Sequence, residues 1–428
     1  MNPISRRSFF QGAAVAASAT RVVGANDRIR VGIVGLGGRG SSHVRSYVTI
    51  PDAQITGLCD VNQTARERAQ GTLVKLSVAQ AKEYVDMREL FADKDIDAVS
   101  IAAPNHWHAL ATIWACQAGK DVYVEKPASH NVHESWRMVE EARKHNRMVQ
   151  VGSQGRSAPH KIRAMGLLRQ GVIGKLYLAK GLCFKRRRSI GRTPAQPVPA
   201  GIDWDKFLGP APMRPFTMNR YRYNWHWFWD TGNGDIGNQG VHEMDICRWG
   251  LGNVPLPKWV FSSGGKYIYD DDQETPNTQL ATFDYGDAQI VFEVRGLLTG
   301  PEAGNTVRSG NSVGDLFLGS DGWMWVEGGG FQVYKGEKNE KAMEEKGSDD
   351  NATVLHMQNF LAACRSRNYQ ELTADVEIGA TSAALGHLAN VAYRTGRKLA
   401  WDAAAKRFVN DPEADKLLTR DYRKPYVV

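Results

Sequence analysis

The sequence lacks the features of membrane-spanning, disulfide-stapled and metal-binding proteins. Its 428 residues contain no apolar run long enough to cross a bilayer. The five cysteines are scattered without a Cys-x-x-Cys pair, which indicates small buried side chains and no disulfide framework. Metal spacing is also missing, because neither the pair His106 and His108 nor the pair His130 and His133 has a third ligand nearby. We therefore expect no metal site.

Basic residues outnumber acidic ones, yet the sequence does not predict a nucleic-acid partner. The net charge is +8, and its densest cluster is Lys185, Arg186, Arg187 and Arg188. This run is short and has no interleaved aromatic residues, unlike a nucleic-acid-binding stretch. We expect a solvated loop here. The alternative is a contact to a cofactor phosphate or to an acidic sugar.

Residues 1–25 have the layout of an export signal. Two arginines within residues 5–10 precede a modestly apolar, alanine-rich segment at 11–19, and cleavage would follow Ala19 or Ala25. This layout is typical of twin-arginine signals, which carry folded proteins across the membrane. We expect a periplasmic protein whose cofactor is loaded in the cytoplasm. The alternative is a disordered basic N-terminus.

A glycine-rich turn follows the first apolar run, residues 31–34. The chain there reads as a buried strand that turns into a helix N-terminus, where amides and the helix dipole would hold phosphates. Gly35 permits the tight turn, Gly37 lets a pyrophosphate approach the backbone, and Gly40 lets the helix pack on the strand. The predicted phosphate-binding turn comprises Gly35, Gly37, Gly38, Arg39 and Gly40.

A second apolar strand, residues 55–59, ends in Asp60 at the distance expected for a ribose-binding acid. A carboxylate there repels a 2′-phosphate, so NAD is favoured over NADP. Arg39 or Arg66 could nevertheless reach a 2′-phosphate. The alternative interpretation is a structural glycine turn with a helix-capping aspartate.

Strands and helices alternate from residue 28 to 151, which predicts a parallel, doubly wound α/β sheet. Ligands of such sheets lie beyond the carboxyl ends of the strands. Two polar motifs fall at those ends, at 103–108 and 125–127. The predicted first domain is 28–155. The predicted strands are 29–34, 55–59, 98–102, 122–124 and 148–151, and the helices are 63–76, 106–118 and 132–145.

The pattern changes in the predicted second domain, 156–428. Strand-like runs between 278 and 334 follow one another without helices, which predicts a mostly antiparallel sheet in an α+β domain. The charged stretch 335–351 is predicted to be a mobile loop. The aromatic block 221–229 is interpreted as core, with a sugar-stacking platform as the alternative. The predicted helices of this domain are 159–170, 238–251, 353–367 and 376–394.

Five short motifs occur in order along the chain: G-L-G-G-R-G at 35–40, C-D-V-N at 59–62, A-P-N-H-W-H at 103–108, V-E-K-P at 124–127 and G-N-Q-G-V-H-E-M-D at 237–245. Together they resemble the Gfo/Idh/MocA oxidoreductases, a family that includes glucose–fructose oxidoreductase and inositol 2-dehydrogenase. The resemblance implies a Rossmann domain followed by a domain whose open sheet forms a substrate wall. It also implies a homodimer or homotetramer built on that sheet.

The chemistry of sugar oxidation agrees with this resemblance. A hydroxyl proton must leave and the charge on its oxygen must be stabilised, which suits a histidine and a lysine. The resemblance gives the catalytic role to Lys126 and the proton acceptor role to His242. Many family members have an aspartate one helical turn before this histidine, but here the residue is Asn238. Asp235 or Asp245 could supply the missing charge.

These considerations give two sets of site residues besides the catalytic Lys126, His242, Asn238 and Asp245. The predicted cofactor-binding residues are the glycine turn, Asp60, Pro104, Asn105, His108, Glu125 and Lys126. The substrate set is Lys126, Gln154, Arg156, Trp229, Asn238 and His242. Glu125 is interpreted either as a charge partner of Lys126 or as a solvated acid.

The sequence therefore predicts an exported oxidoreductase that moves a hydride between a sugar, glycoside or polyol and tightly bound NAD. One alternative is a redox-neutral, NAD-dependent glycoside hydrolase that oxidises the sugar transiently. Such an enzyme needs a further base, for which Tyr221, Tyr223, His226 and Glu243 are candidates. The other alternative is a non-catalytic sugar-binding protein.

Overall fold

The computed structural model describes residues 27–299 and 311–428, and the predicted export signal lies outside them. Two sheets organise these residues. The first contains six parallel strands in the order β3-β2-β1-β4-β5-β6. The strands are β1 (Ile29–Val34), β2 (Ala53–Cys59), β3 (Lys82–Tyr84), β4 (Ala98–Ile101), β5 (Asp121–Val124) and β6 (Val149–Val151). The helices between them are α1 (Gly38–Val48), α2 (Gln63–Lys75), α3 (Met87–Ala92), α4 (Asn105–Gln117) and α5 (Val132–Lys144).

This sheet confirms the predicted Rossmann-like α/β architecture. Each predicted strand and helix of the first domain is present, and its ends differ by at most two residues. The prediction missed β3 and α3. β3 has three residues at the sheet edge, and two of them are exposed, so no apolar pattern marks it.

The second sheet has ten strands in the order β14-β13-β12-β11-β7-β10-β9-β8-β15-β16. Its strands pair antiparallel except for β7 and β10, which run parallel. The strands are β7 (Leu176–Lys185), β8 (Trp259–Gly265), β9 (Thr278–Asp284), β10 (Gln289–Arg295), β11 (Asn311–Gly319), β12 (Gly322–Glu327), β13 (Gly330–Lys335), β14 (Glu340–Lys346), β15 (Leu399–Asp402) and β16 (Arg407–Phe408). The mostly antiparallel second sheet is thus confirmed.

The prediction of a mobile loop at 335–351 is wrong, because β14 lies within it. This strand forms the edge of the second sheet and pairs with β13 alone. All its side chains are exposed or partly exposed, so it lacks the apolar alternation of a half-buried strand.

Most helices of the second domain pack against its sheet, and some also contact the first domain. The helices of this domain are α6 (Pro159–Arg169), α7 (Trp204–Leu208), α8 (Gly234–Asn238), α9 (Gly240–Gly250), α10 (Ala352–Ser366), α11 (Val376–Thr395) and α12 (Pro412–Asp415). α9 and α11 bury Met244, Leu385 and Leu388 in one core with sheet phenylalanines such as Phe292. α10 instead packs Phe360 into the core of the first sheet.

One predicted helix, 238–251, is divided in the structure. α8 ends at Asn238 and α9 starts at Gly240, with Gln239 between them. The division places Asn238 at a helix end, where its carbonyl is free to accept a hydrogen bond from outside the helix. Within the described residues, no helix is long and apolar enough to cross a membrane, and no three His, Cys, Asp or Glu side chains form a metal-binding group.

Candidate active site

The glycine turn after β1 has the shape required to hold a pyrophosphate. A side chain at Gly40 would put its Cβ 1.8 Å from the Gly35 carbonyl oxygen, so only glycine lets α1 start this close to β1. A Cβ on Gly37 or Gly38 would meet nothing within 4 Å. The backbone is therefore open on the side where the N-terminus of α1 presents its amides. The residues present fit a dinucleotide phosphate.

The carboxylate of Asp60 forms a hydrogen bond with a backbone amide of this turn. Its Oδ2 accepts a hydrogen bond from Leu36 N at 2.6 Å, and its Oδ1 accepts one from Asn62 N at 2.8 Å. Burial raises the pKa of Asp60, although both N–H donors act against that rise. The carboxylate thus lies at the carboxyl end of β2, beside the phosphate turn, as a ribose-binding acid requires.

The two arginines that could have selected a 2′-phosphate are both paired with carboxylates. Arg39 Nε contacts Glu125 Oε1 at 2.6 Å, and Arg66 Nε contacts Glu83 Oε2 at 3.2 Å. Arg66 also donates to the Asp60 carbonyl oxygen at 2.6 Å. Both guanidinium groups are therefore engaged by carboxylates within the protein.

A segment of the second domain is attached to the residues that follow Asp60. Ile202 forms an antiparallel bridge with Asn62, and Gln63 N donates to the Gly201 carbonyl at 2.9 Å. Asn62 Nδ2 donates to Tyr221 Oη at 2.8 Å. Residues of the same two segments, among them Val61, Gln63 and Ile202, line an open groove of about 530 Å³. Tyr221 therefore lies beside the predicted ribose site.

The loops after β4 and β5 are held against each other by His108. Its Nδ1 lies 2.6 Å from the Pro127 carbonyl oxygen, and its Nε2 lies 2.7 Å from that of Ala103. Burial lowers the pKa of His108. Pro104 precedes the first residue of α4, and Asn105 Nδ2 donates to Asn233 Oδ1 at 3.0 Å. The A-P-N-H-W-H motif thus shapes the loop at the cofactor side of the sheet.

Glu125 is buried, so its interpretation as a solvated acid is wrong. Its Oε1 contacts Arg39 Nε and, at 3.0 Å, His43 Nε2. Burial alone would raise the pKa of Glu125, but the Arg39 guanidinium and then His43 outweigh it and hold the pKa well below its usual range. Lys126 N donates to Glu125 Oε2 at 3.2 Å. Glu125 thus fixes the strand end from which the Lys126 side chain projects.

Lys126 is brought together with Asn238, as the site prediction required. Lys126 Nζ donates to the Asn238 carbonyl oxygen at 2.7 Å and lies 3.4 Å from Asn238 Oδ1. Burial lowers the pKa of the Lys126 ammonium, and the charge of Glu125 acts against that change. The free carbonyl at the end of α8 thereby positions the ammonium at the end of β5.

His242 lies one turn beyond Asn238, near the start of α9. Burial, and after it the nearby Lys126 charge, lowers the pKa of His242 well below its usual range. The imidazole is half-buried, and its ring nitrogens have no hydrogen-bond partner in the part of the chain that the structure describes. A neutral imidazole with a free nitrogen can accept a proton.

Asp245 and Arg156, predicted for catalysis and for substrate binding, are bonded to each other. Arg156 Nε donates to Asp245 Oδ2 at 2.7 Å, and Nη2 donates to Oδ1 at 2.9 Å. Ser382 donates to the same Oδ1 at 2.6 Å, and Arg156 Nη2 also reaches Asn253 Oδ1 at 3.0 Å. Both charged side chains are only 2% exposed. The pair therefore joins α9 to α11 and to the 3-10 turn that contains Arg156.

The remaining two substrate candidates have different surroundings. Gln154 keeps a buried Oε1 with no hydrogen-bond partner among the described residues. Trp229 N donates to Glu274 Oε2 at 2.9 Å, and the Arg394 guanidinium lies 5.3 Å from the Trp229 ring. Within the aromatic block, Trp227 and Phe228 are core residues, as the first interpretation expected.

Arg186 and Arg188 of the basic cluster are exposed, as expected of a solvated loop, but Arg187 turns inward. Arg187 forms a bidentate ion pair with Asp235, at 3.0 and 2.8 Å, and donates to Tyr223 Oη at 3.0 Å. Asp235 Oδ1 is also 3.4 Å from Asn238 Nδ2. The sequence analysis missed Arg187 as a neighbour of the site. The sequence indicated this only through the position of Arg187, two residues after the end of β7, because side chains there lie at the end of the sheet.

Glu243, another candidate base, faces the second sheet. A Cβ on Gly181 of β7 would lie 2.9 Å from Glu243 Cβ. Burial raises the pKa of Glu243 to about 7, and Gln239 Nε2 donates to its Oε1 at 3.2 Å. His226 stacks on Trp225 with 3.6 Å between ring centroids. Of the four candidate bases, Tyr223 is the one bonded to Asn238.

Solved structures with this fold include two dehydrogenases. The WlbA dehydrogenase from Bordetella pertussis, in complex with NADH and UDP-GlcNAcA, is 21% identical, with a TM-score of 0.65 over 88% of this chain and 99% of its own. Myo-inositol 2-dehydrogenase from Lactobacillus plantarum is 19% identical, with a TM-score of 0.61 over 87% of this chain and 99% of its own. At these identities the likeness shows the fold alone.

Sequence comparison identifies curated relatives and a family. A glycosyl hydrolase family 109 protein from Shewanella putrefaciens is 32% identical over 154 residues, which are 35% of this chain and 34% of that protein. The chain thus spans about a third of the length of the curated relatives it matches. The oxidoreductase family's NAD-binding Rossmann fold matches residues 29–153, and its C-terminal alpha/beta domain matches 161–256 and 318–428. With these two matches and the geometry above, the chain belongs to the Gfo/Idh/MocA family of oxidoreductases.

Proposed function

We propose that this protein is an NAD-dependent oxidoreductase that oxidises a hydroxyl-bearing carbon of a sugar, glycoside or polyol. The observation that carries the proposal is the arrangement of Lys126 and His242. A lysine ammonium fixed by Asn238 and a histidine kept neutral by burial lie together at the carboxyl ends of the first sheet. The complex of WlbA with NADH and UDP-GlcNAcA supports a sugar as the substrate class.

In the proposed reaction, one residue stabilises the charge on the sugar oxygen and another accepts the hydroxyl proton. Bound NAD supplies the hydride acceptor. Lys126 donates a hydrogen bond to the sugar oxygen and stabilises the negative charge that grows there. A ring nitrogen of His242 accepts the proton of the same hydroxyl group. The amides of the glycine turn hold the pyrophosphate, and Asp60 accepts hydrogen bonds from the ribose hydroxyls.

A redox-neutral glycoside hydrolase is the second candidate, and one observation favours it. A stretch of 154 residues of this chain is 32% identical to a glycosyl hydrolase family 109 protein. In this scheme oxidation is transient, the aglycone is eliminated, water adds and the hydride returns. A non-catalytic sugar-binding protein remains the third candidate, and the intact pair of Lys126 and His242 argues against it.

One experiment separates these candidates. Nitrophenyl glycosides and free sugars are added singly to the purified protein, while the reduced-nicotinamide absorbance and the release of nitrophenol are recorded. We expect a lasting rise in absorbance without aglycone release. Aglycone release without a net rise would establish the hydrolase instead. Silence in both channels, with sugar binding retained, would establish the binding protein.

We further propose that the protein is exported to the periplasm with its NAD already bound. The contacts of Ile202 and Tyr221 with Asn62 support retention of the cofactor, because they cover the chain next to Asp60. Denaturing the purified protein is expected to release about one NAD per chain. Tyr221→Phe should shorten the residence time of NAD, whereas Tyr177→Phe, which changes an exposed tyrosine of β7, should not. Absence of released nucleotide would contradict the proposal.

We also propose a homodimer or homotetramer that forms on the open face of the second sheet. Trp259, Phe261 and Leu280 are each about 40% exposed on the same face of β8 and β9. Apolar side chains grouped in this way are typical of a covered surface. A mass of one chain in light scattering would contradict the proposal.

A further inference from the structure

The phenol of Tyr223 is separated from the Lys126 ammonium by a single residue. Asn238 accepts from Lys126 Nζ with its carbonyl and side-chain oxygens, at 2.7 and 3.4 Å. The Nδ2 of the same Asn238 donates to Tyr223 Oη at 3.2 Å. Tyr223 is 51% exposed, so its side chain is open to a ligand that approaches Lys126.

Two residues donate hydrogen bonds to the hydroxyl oxygen of Tyr223, and neither contact uses the hydroxyl hydrogen. Arg187 Nη1 donates to this oxygen at 3.0 Å, and Asn238 Nδ2 donates at 3.2 Å. Guanidinium and amide N–H groups act only as donors. Because the oxygen accepts both bonds, its O–H must point in a third direction. Donation from a cation also polarises the phenol, which makes its O–H a stronger hydrogen-bond donor.

Asp235 fixes both of these donors from the protein interior. This carboxylate is 3% exposed and takes a bidentate ion pair from Arg187 at 3.0 and 2.8 Å. Its Oδ1 also lies 3.4 Å from Asn238 Nδ2. The orientation of the Tyr223 oxygen is therefore set before any ligand binds.

The same contacts explain why this chain has asparagine at 238. An aspartate there would place a second carboxylate beside Asp235, and like charges at that distance repel. It would also have no N–H to donate to Tyr223. The asparagine instead accepts from Lys126 with its oxygens and donates to Tyr223 with its nitrogen.

We propose that Tyr223 determines which carbon of the sugar is oxidised. Its O–H donates to the hydroxyl oxygen next to the one that contacts Lys126, so the site takes a sugar with two adjacent hydroxyl groups. The inference rests on the proposed function. Tyr223 makes a second, directional hydrogen bond to the sugar in addition to the contact of Lys126. Two such contacts fix the rotation of the sugar ring in the site.

The test compares Tyr223→Phe with the unchanged protein on the glycoside that reduces NAD best in the screen above and on its monodeoxy derivatives. The variant should lower kcat/KM for the parent glycoside roughly tenfold to a hundredfold. For one deoxy derivative the two proteins should be equally slow, because that sugar lacks the hydroxyl group that Tyr223 contacts. Tyr177→Phe is the control, since Tyr177 is similarly exposed on β7.

Two outcomes overturn the proposal on this assay. Either kcat/KM is unchanged in Tyr223→Phe, or the variant lowers kcat/KM by the same factor for the parent glycoside and for every deoxy derivative. If no sugar reduces NAD, the proposed function fails, and binding then decides the role of Tyr223. Saturation-transfer NMR with methyl glycosides supports the role if transfer is lost in Tyr223→Phe, and equal or absent transfer in both proteins overturns it.

Discussion

Replacing Lys126 with alanine is expected to slow reduction of bound NAD by a sugar roughly 100- to 1,000-fold, the cost of removing one donor to a developing oxyanion. The physical reason is the position of the ammonium. Burial and the Asn238 carbonyl hold it at the end of β5, so it needs no rearrangement to meet the sugar oxygen. The measurement is single-turnover absorbance of reduced nicotinamide after mixing with sugar.

The control separates catalysis from cofactor loss. Lys144→Ala removes an exposed lysine at the end of α5, whose side chain is 66% exposed, and should leave the rate unchanged. Both variants are also assayed for NAD content after denaturation, which should equal that of the unchanged protein. A Lys126→Ala protein that retains full NAD and the full rate would exclude Lys126 as the oxygen-stabilising group.

Replacing Asp245 with alanine is expected to lower the free energy of unfolding by about 3–5 kcal/mol, because it leaves the buried Arg156 guanidinium without its counter-charge. Three hydrogen bonds to the carboxylate, two from Arg156 and one from Ser382, are lost together. Urea unfolding followed by tryptophan fluorescence measures the change.

Two comparison variants identify the cause of this loss. Removing both charges with Arg156→Met and Asp245→Leu should restore much of the stability, since an apolar pair of similar volume can replace a buried ion pair. Glu140→Ala breaks an exposed pair with Arg137 on α5 and should cost less than about 1 kcal/mol. If Asp245→Ala is stable but inactive, Asp245 acts in catalysis and its predicted role is correct.

The cofactor half of the site was predictable from the sequence because its determinants are local. A glycine turn, an acid at the next strand end and the E-K-P motif lie within or beside short apolar runs, and each run specifies its own strand. The structure places Asp60 against the turn at Leu36 and Lys126 at the end of β5, as predicted. The three-residue β3 and the charged β14 were missed because an edge strand needs no apolar face.

The substrate half was less predictable because its contacts join distant residues. The spacing along α9 predicted that Asp245 lies on the same helical face as His242. Its ion-pair partner, Arg156, is 89 residues away in the sequence. The basic run gave no sign that Arg187 turns inward, since Asp235 is 48 residues further along the chain.

The sequence by itself determined the two-sheet architecture, the family, the glycine turn after the first strand and the position of Lys126 at a strand end. These follow from apolar periodicity, from glycines that a turn requires and from motifs read in order. Only the tertiary structure decided which charges pair, that Asn238 joins Lys126 to Tyr223, and that a second-domain segment lies against the residues that follow Asp60. The reason is that a side chain's partner is selected by how strands and helices pack, and neighbours in the packed chain are not neighbours in sequence.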